Sequence, residues 1–205
     1  GRSIPSGKHP DGLWEANHPQ LHGNEEVTYA EVMPVSRVET GMTGGCAVRV
    51  IAGTARGIRL AAPKGHDVRP TLDRVREALF NILAPRIAGA CFLDLFAGTG
   101  ANGIEALSRG ALSAVFVDKE VRSLSAVRAN LATTRLAGQA RIMKLAIPAG
   151  LAQLDGPFDV IFADPPYEFR DFEALFGEIQ RRGLLNSAGI IVLEHASKTP
   201  LEELI

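Results

Sequence analysis

Short apolar runs alternate with longer amphipathic segments along the chain from residue 91 onward. The runs are short and rich in β-branched and aromatic residues, which predicts strands at 91–96, 114–118, 140–144, 158–163 and 189–194. Apolar residues recur at helical spacing between them, which predicts helices at 102–109, 120–136 and 171–182 and a short helix at 147–154. This alternation is typical of βαβ units around a parallel sheet, whose ligands bind beyond the carboxyl ends of the strands.

A different pattern precedes the alternating region. Two short β-rich runs flank the bend in "VRVIAGTARGIRLAA", which predicts a hairpin with Gly53 and Gly57 at its turn. The stretch "RPTLDRVREALFNILAP" carries one apolar stripe at helical spacing, which predicts a helix with Thr71 as its N-cap and Pro85 at its end. We therefore expect residues 46–86 to form an N-terminal β-hairpin plus helix beside the core at 87–205.

Residues 1–45 are polar and lack sustained periodicity. They contain glycine- and proline-rich pieces such as "SGKHPDG" and "TGMTGG", which predict coil. Gly1 is not a native translation start unless a methionine was removed, and Met42 is a candidate start. The expected division is an extension at 1–45 without a functional role, the hairpin and helix at 46–86, and the α/β core at 87–205.

Composition narrows the class of protein. The chain has 205 residues, 46% of them hydrophobic, and no apolar run of the roughly 20 residues that span a membrane. The cysteines, Cys46 and Cys91, lack metal-ligand spacing, and two cysteines make no disulfide framework, which favours a reducing cytoplasm. The net charge is −1, but residues 47–86 hold eight Lys or Arg against three Asp or Glu. This local basic block predicts a contact with a polyanion.

The loop after the first core strand has the sequence "DLFAGTGANG", in which Gly98, Gly100 and Gly103 form a G-x-G-x-x-G fingerprint. Asp118 ends the next strand and can accept hydrogen bonds from ribose hydroxyls. Asp94 lies inside the preceding strand, where its charge would repel a pyrophosphate and attract an ammonium and a sulfonium. These residues favour S-adenosyl-L-methionine over a phosphate-bearing dinucleotide, although Asp94 can also serve as a structural acceptor for loop amides.

The fourth core strand ends in "DPPY", residues 164–167, in the same predicted cleft. The two prolines make a stiff corner that holds hydrogen-bond acceptors in place. Asp164 and a proline carbonyl can accept the two hydrogens of an exocyclic amine on a nucleobase, and Tyr167 can stack on the base. The corner therefore predicts methylation of a base amine, with the base turned out of any duplex and with no metal.

These motifs together resemble one family. The segments "RVIAGTARGIRLAAPKGHDVRPTLDRVREALFNIL", "FLDLFAGTGANGIEALSRGA" and "DVIFADPPY" are similar to the bacterial 16S rRNA guanine-N2 methyltransferases, the RsmD family, over about residues 47–195. The resemblance implies a Rossmann-like class I methyltransferase sheet in a three-layer α-β-α arrangement. It also implies methyl transfer from S-adenosyl-L-methionine to N2 of one guanine in 16S rRNA, free or in an assembling 30S subunit, by a cytoplasmic monomer without membrane or metal.

The resemblance assigns site residues in three groups. Those implied to hold the guanine are Asp164, Pro165, Pro166 and Tyr167. Those implied to line the cofactor are Asp94, Phe96, Ala97, Gly98, Gly100, Asp118, Lys119, Ala146 and Ile147. Those implied to touch RNA or the cleft mouth are Arg56, Arg59, Arg69, Thr71 and Arg74.

The sequence departs from the family pattern at three places. Residues 1–45 have no recognised counterpart, and Ala146 stands where the family commonly has an acid near the adenine amine. The chain also stops at Ile205, soon after the fifth core strand, where class I methyltransferases usually add two more strands. Truncation of a longer chain is the expected cause, and it would leave that strand as an exposed edge.

Three alternatives stay open at this point. An adenine-N6 methyltransferase acting on DNA or RNA would use the same DPPY corner, because both amines present the same donors. An NAD-dependent oxidoreductase would use the glycine fingerprint but leave Asp94 and the corner without a role. A non-catalytic RNA-binding module would keep the fold and lose turnover. The N-terminal RPT-x-DRVRE block favours the rRNA methyltransferase over the adenine-N6 enzyme.

Overall fold

The structure is a computed structural model that describes residues 28–31, 48–62 and 71–194. Its elements in chain order are β1 (Thr28–Glu31), α1 (Thr71–Ile82), α2 (Ala84–Ile87), β2 (Cys91–Leu95), α3 (Ala101–Ser108), β3 (Ser113–Asp118), α4 (Val121–Thr134), β4 (Ala140–Lys144), β5 (Phe158–Ala163), α5 (Phe172–Arg181) and β6 (Leu185–Leu193). Two 3₁₀ turns, Ala137–Gln139 and Ala149–Gln153, lie in the connections.

The strands form one parallel sheet in the order β1-β6-β5-β2-β3-β4. The chain runs outward from β2 through β3 to β4 on one side and from β5 to β6 on the other. The direction of winding therefore reverses between β2 and β5, which is the topological switch point where open α/β sheets bind ligands. The predicted α/β fold is confirmed, with all five predicted core strands and the helices predicted at 102–109, 120–136 and 171–182. The short helix predicted at 147–154 is the 3₁₀ turn Ala149–Gln153.

Two details of the predicted boundaries are wrong. β6 begins at Leu185, four residues before the predicted start, because Leu185 pairs with Phe158 across an irregular register. Pro85 lies at the start of α2 and does not mark the end of α1, which already ends at Ile82. A proline is tolerated in the first turn of a helix because the amide it lacks would have no helical partner there.

The prediction of coil throughout 1–45 is wrong at Thr28–Glu31. These residues form β1, which pairs in parallel with β6 from Ile190 to Leu193. The prediction of an exposed edge after the fifth core strand is therefore also wrong. A strand of four residues is too short to show a clear periodicity, and the edge of the sheet supplies the backbone partners that make it a strand.

Alternating side chains of the strands fill two cores. Phe92, Phe116 and Phe162 point to the face covered by α1, α3 and α4. Leu93 and Ile161 point to the opposite face, where α5 and the 3₁₀ turn at 149–153 cover them. Burial on both faces explains why these strands are almost continuously apolar, and the arrangement has the predicted three layers.

Residues 48–62 form an arm that packs on the α3–α4 face. It has only one antiparallel bridge, between Arg49 and Arg59, so the predicted hairpin is irregular. The bend is where it was predicted, since Gly53 and Gly57 have φ angles of 79° and 82°.

Candidate active site

Two loops meet at the switch point of the sheet. Leu95 at the end of β2 pairs in register with Ala163 at the end of β5, so Phe96 and Asp164 are the next residues on neighbouring strands. The rings of Phe96 and Phe169 lie edge to face with centroids 5.2 Å apart, which joins the glycine loop to the segment after the DPPY corner. The structure thus brings together the two motifs that the sequence separates by more than sixty residues.

The glycine loop after β2 turns sharply to begin α3. Gly98 and Gly100 have φ angles of 54° and 77°, a left-handed backbone that glycine adopts without a steric penalty. Phe96 also has a positive φ angle, 61°, which is uncommon for a residue with a side chain. A Cβ atom placed on Gly98 would meet only the carbonyl oxygen of Phe96, at 3.9 Å, so the space in front of Gly98 is open. Gly103 differs, because a Cβ there would lie 2.3 Å from the ring of Phe116. The third glycine of the fingerprint therefore serves packing, and the first leaves room for a ligand.

Asp118 ends β3 and holds this loop. One carboxylate oxygen accepts the amide of Gly98 at 2.9 Å, and the other accepts the amide of Glu120 at 2.8 Å. Each carboxylate oxygen has a second lone pair, so these bonds leave capacity for hydroxyl donors. Asp118 itself is half-buried.

Asp94 is 2% exposed, and its carboxylate accepts the amide of Gly103 at 2.9 Å. Burial raises the pKa of Asp94 to about 8, against the lowering effect of the Gly103 amide and with the help of the charges of Asp164 and Asp118. The alternative role as a structural acceptor is therefore present in the structure. A neighbouring cation would stabilise the charged form of this carboxyl.

The corner after β5 presents a pair of carboxyls. The amide of Glu194, directly after β6, donates to the carbonyl of Ala163 at 2.9 Å, which sets Glu194 beside Asp164. Burial, and secondarily the charge of Glu194, raise the pKa of Asp164 to about 7. Burial also raises the pKa of Glu194. Asp164 as a whole residue is exposed, so solvent moderates the effect of burial on its pKa.

The rest of the corner combines rigidity with an open ring. The carbonyl of Pro166 accepts the amide of Phe169 at 2.8 Å, which closes the turn, and Pro165 is half-buried beneath it. Tyr167 is 82% exposed, so its ring is available to a flat partner. The guanidinium of Arg170 donates to the carbonyl of Phe169 at 2.8 Å and so ties the following residues to the turn.

The remaining residues predicted for the cofactor lie at the edge of the same loop. Leu145 donates to the carbonyl of Asp118 at 3.1 Å and so places Ala146 and Ile147 beside β3. Ala146 and Lys119 are exposed, and Ile147 packs half-buried against the α5-side core. Ala97 is buried, and its amide donates to the carbonyl of Val117 at 3.0 Å.

The basic residues predicted to contact RNA have different surroundings. Arg56, Arg59 and Arg74 are exposed. Thr71 begins α1, so it is the first helical residue and not the residue before it. Arg69 lies outside the residues that the structure describes.

Sequence reasoning missed the side chains that dock the arm on the sheet domain. Glu105 is fully buried and accepts the amides of Ile51 and Ala52 at 2.7 and 3.0 Å. The hydroxyl of Ser108 accepts the amide of Ala55 at 3.0 Å, and its carbonyl accepts the amide of Thr54 at 2.8 Å. A charged residue inside the apolar stripe of a helix, as in "GIEALS", was the available sign of such a role.

Glu194 and Asn130 were also missed as site residues. Glu194 directly follows an apolar strand, a position that reads as the ordinary polar end of the strand. Asn130 is 1% exposed within α4, where its amide bonds to both the arm and the glycine loop.

Residues 28–31, 48–62 and 71–194 contain no group of three or more His, Cys, Asp or Glu side chains arranged to hold a metal ion. Within those same ranges no helix combines the length and apolar character needed to traverse a bilayer.

Comparison with known proteins identifies the family. Residues 48–205 match the family described as Conserved hypothetical protein 95. Ribosomal RNA small subunit methyltransferase D of Escherichia coli strain K12 is 40% identical over 152 residues, which are 74% of this chain and 76% of that protein. The chain belongs to the methyltransferase D family. The Haemophilus influenzae member is 36% identical over 157 residues, which are 75% of this chain and 81% of that protein.

Solved structures agree with this family assignment. The structure of yhhF from Escherichia coli superimposes with a TM-score of 0.68 at 38% identity, covering 76% of this chain and 85% of that one. An SAH-bound methyltransferase from Podospora anserina shares only the fold, with a TM-score of 0.52 at 18% identity over 58% of this chain and 52% of that one. The chain thus has the class I methyltransferase fold, as predicted.

Proposed function

We propose that this chain transfers a methyl group from S-adenosyl-L-methionine to the exocyclic N2 of a guanine in 16S rRNA. The observation that supports this most directly is the register of Leu95 with Ala163, which puts the glycine loop and the DPPY corner side by side at the switch point. A methyl donor on the loop and a base amine at the corner would then face each other. Relatives named small subunit rRNA methyltransferases support the choice of RNA.

The residues around the glycine loop fit S-adenosyl-L-methionine. The open space in front of Gly98 lets the backbone approach the ligand, and the half-buried carboxylate of Asp118 can accept hydrogen bonds from the ribose. The carboxyl of Asp94 lies behind the loop and would favour a cationic ligand. When bound, the cofactor supplies a methyl group activated by a sulfonium. Ala97, Lys119, Ala146 and Ile147 would form the edge of this site.

The corner would hold the guanine by its amine. Asp164 and the carbonyl of Pro165 would accept the two hydrogens of N2, which directs the nitrogen lone pair toward the methyl group. The exposed ring of Tyr167 would stack on the base, which must leave its helix to reach the cleft. Pro165 and Pro166 keep these acceptors rigid, so the geometry needs little reorganisation.

The carboxylate of Asp164 would stabilise the positive charge that grows on N2 during transfer. A strong base is not needed, because the methylated ammonium is very acidic and loses its proton readily. The pKa of Asp164, raised to about 7 by burial and by Glu194, means that the charged form becomes populated near neutral pH. Methyl transfer should therefore need Asp164 deprotonated.

The arm and α1 would bind the RNA backbone. Arg56, Arg59 and Arg74 are exposed in the described part of the basic block, where they can neutralise phosphates. Arg69 and Thr71 are assigned to the same contact by the family resemblance. Activity on 16S rRNA or on an assembling 30S subunit would make the chain a cytoplasmic enzyme.

The test is methyl transfer from labelled cofactor into 30S subunits that lack the modification, with the modified base identified by mass spectrometry. Wild-type protein should yield N2-methylguanine. Asp164→Ala and the isosteric Asp164→Asn should lose at least about a hundredfold in rate, the typical cost of losing a charge-stabilising group. Both variants should still bind S-adenosylhomocysteine, because Asp164 does not hold the loop.

Three results would contradict the proposal. Full activity of Asp164→Ala would show that the carboxylate of the DPPY corner is not needed for methyl transfer. Preferential methylation of adenine in DNA would favour the adenine-N6 reaction. Tighter equilibrium binding of NAD than of S-adenosylhomocysteine would favour an oxidoreductase.

A further inference from the structure

The side-chain amide of Asn130 bonds both to the arm and to the glycine loop. In the proposed function the arm binds RNA and the loop binds the cofactor. Asn130 lies on α4 between the buried residues Val127 and Leu131 and is itself 1% exposed. Its oxygen accepts the amide of Ala61 at 2.7 Å, and its nitrogen donates to the carbonyl of Ala61 at 3.0 Å. The same nitrogen donates to the carbonyl of Thr99 at 2.9 Å. One amide hydrogen of Asn130 therefore bonds to Ala61 and the other bonds to Thr99.

The first side of this connection is the arm. Ala61 comes two residues after the exposed Arg59, and Leu60 between them is 3% exposed in the core. The bend of the arm is held separately, by Glu105 and Ser108 on α3. Asn130 therefore holds the end of the arm that follows Arg59. A displacement of Arg59 by bound RNA would therefore reach Ala61 through Leu60, the one residue between them.

The second side is the cofactor loop. Thr99 lies between Gly98 and Gly100, and the amide of Gly98 is held by Asp118. The loop is thus held at Gly98 from β3 and at Thr99 from α4. The side-chain bonds of Asp118 go to Gly98 and Glu120, whereas Asn130 contacts arm and loop with one planar group.

We infer that Asn130 is a positioning residue that couples RNA binding at the arm to cofactor binding at the glycine loop. Because its amide is planar, a shift of Ala61 turns the nitrogen relative to the Thr99 carbonyl, and a shift of Thr99 acts on Ala61 in the same way. RNA that orders the arm then favours the position of Thr99 at which the cofactor binds. Cofactor that orders the glycine loop likewise favours the position of Ala61 at which RNA binds. Such coupling is reciprocal, so RNA tightens cofactor binding by the same factor as the cofactor tightens RNA binding. This inference rests on the proposed function.

A purely structural role would not require this arrangement. Asn130 could satisfy the backbone of Ala61 with one hydrogen and its oxygen alone. The second hydrogen specifically reaches the loop, and within residues 48–62 and 71–194 no other side chain hydrogen-bonds both to the arm and to residues 96–100.

The experiment measures the dissociation constant of S-adenosylhomocysteine by calorimetry, with and without saturating 16S rRNA fragment that carries the target site. Asn130→Ala removes both connections. Ala61→Pro removes only the Ala61 amide hydrogen, leaves the Thr99 bond in place, and falls at an exposed position. Thr134→Val is the matched control, since Thr134 is a buried polar residue one turn along α4 whose hydroxyl bonds only to carbonyls of its own helix.

In the wild type, RNA should tighten S-adenosylhomocysteine binding by roughly fivefold or more, the usual lower range of allosteric coupling. Thr134→Val should keep that factor despite lower stability. Ala61→Pro should bind S-adenosylhomocysteine alone like the wild type but show a smaller tightening by RNA, because one of the two bonds between Asn130 and Ala61 is lost and the bond to the Ala61 carbonyl remains. Asn130→Ala should lose the tightening. If Asn130→Ala is poorly folded, Ala61→Pro decides the question alone.

A wild-type coupling factor that persists in folded Asn130→Ala or in Ala61→Pro would overturn the inference. A wild type that binds both ligands without any coupling would also overturn it. Failure of the proposed function would look different, because the wild type would then transfer no methyl group to 30S subunits in the separate assay.

Discussion

The carboxylate of Asp94 accepts the backbone amide of Gly103 across 2.9 Å, inside the first turn of α3. The bond ties the middle of the sheet to the helix that the glycine loop begins. Asp94 makes it while 2% exposed and close enough to Asp164 for the charges to interact. One buried carboxyl therefore supports the loop and responds to charge in the cleft.

The first prediction concerns the pH dependence of stability. The unfolded chain holds a proton on Asp94 only below about its ordinary pKa of 3.8, whereas the folded chain holds it up to about 8. Between those values the folded state binds more protons, so the free energy of unfolding should fall as the pH rises. Asp94→Asn keeps an acceptor for Gly103 but cannot titrate. Urea unfolding at about pH 5 and about pH 8 should show a smaller decrease in this variant than in the wild type.

The pKa values of Asp164 and Glu194 are also raised in the folded state, so both groups make the free energy of unfolding fall as the pH rises. That fall should therefore be smaller in Asp94→Asn than in the wild type but still present. An unchanged slope would mean that Asp94 is already charged in the folded protein at neutral pH. That result would remove the argument that its pKa is raised by burial.

The second prediction compares two glycines at the bend of the arm. Both have positive φ angles, 79° at Gly53 and 82° at Gly57. A Cβ on Gly53 would lie 1.8 Å from the carbonyl oxygen of Ser108, whereas a Cβ on Gly57 would meet nothing within 4 Å. Gly57→Ala should cost about 1–2 kcal/mol from the left-handed backbone alone. Gly53→Ala should cost clearly more, because the arm must also leave α3.

Urea unfolding of the two variants checks this difference, and RNA affinity measured beside it reports whether the arm is displaced. Equal losses of stability in Gly53→Ala and Gly57→Ala would show that the close approach to Ser108 does not hold the arm in solution.

The third prediction concerns base stacking. Because Tyr167 is 82% exposed, its ring adds little to folding. Stacking of a base on an aromatic ring is worth about 1–3 kcal/mol, so Tyr167→Ala should weaken RNA binding roughly tenfold or more. Tyr167→Phe keeps the ring and should stay close to the wild type. Fluorescence anisotropy with a labelled rRNA fragment measures the affinities, and melting temperatures of the three proteins should coincide.

A Tyr167→Phe variant as impaired as Tyr167→Ala would point to the hydroxyl group and away from stacking. A large drop in melting temperature would instead mean that the ring packs against protein.

The fourth prediction concerns the neighbouring carboxyls at the corner. Burial raises the pKa of Asp164 first, and the charge of Glu194 raises it further. Glu194→Gln removes that charge, so the pKa of Asp164 should fall and its charged form should persist to lower pH. The acid side of the pH profile of kcat/KM should therefore move toward lower pH in Glu194→Gln.

Asp155→Asn is the control for this profile. Asp155 is a carboxylate with 87% of its side chain exposed, and it pairs with Arg141 away from the corner. Its variant should keep the wild-type profile. An acid limb that stays in place in Glu194→Gln would show that the two carboxyls titrate independently.

The sequence by itself determined the core of this protein. The apolar runs around Leu93, Phe116 and Ile161 are long enough and regular enough to predict buried parallel strands, because hydrophobic periodicity is a local property of the chain. Chain order then put the glycine loop and the DPPY corner after strands of one sheet. Their location at its carboxyl edge followed from the general topology of α/β proteins.

Only the tertiary structure decided which polar side chains hold these motifs together. Asn130 lies 69 residues from Ala61 along the chain, and Glu105 lies 54 residues from Ile51. The sequence around Glu105 shows a charge within an apolar stripe, but it does not show the partner. The partners of both residues are backbone groups whose positions depend on the finished fold. The strand at Thr28–Glu31 also depends on the finished fold, because pairing with the edge of β6 makes these four residues a strand. Apolar burial is encoded along the chain, whereas hydrogen-bond partners of this kind exist only once distant segments have met.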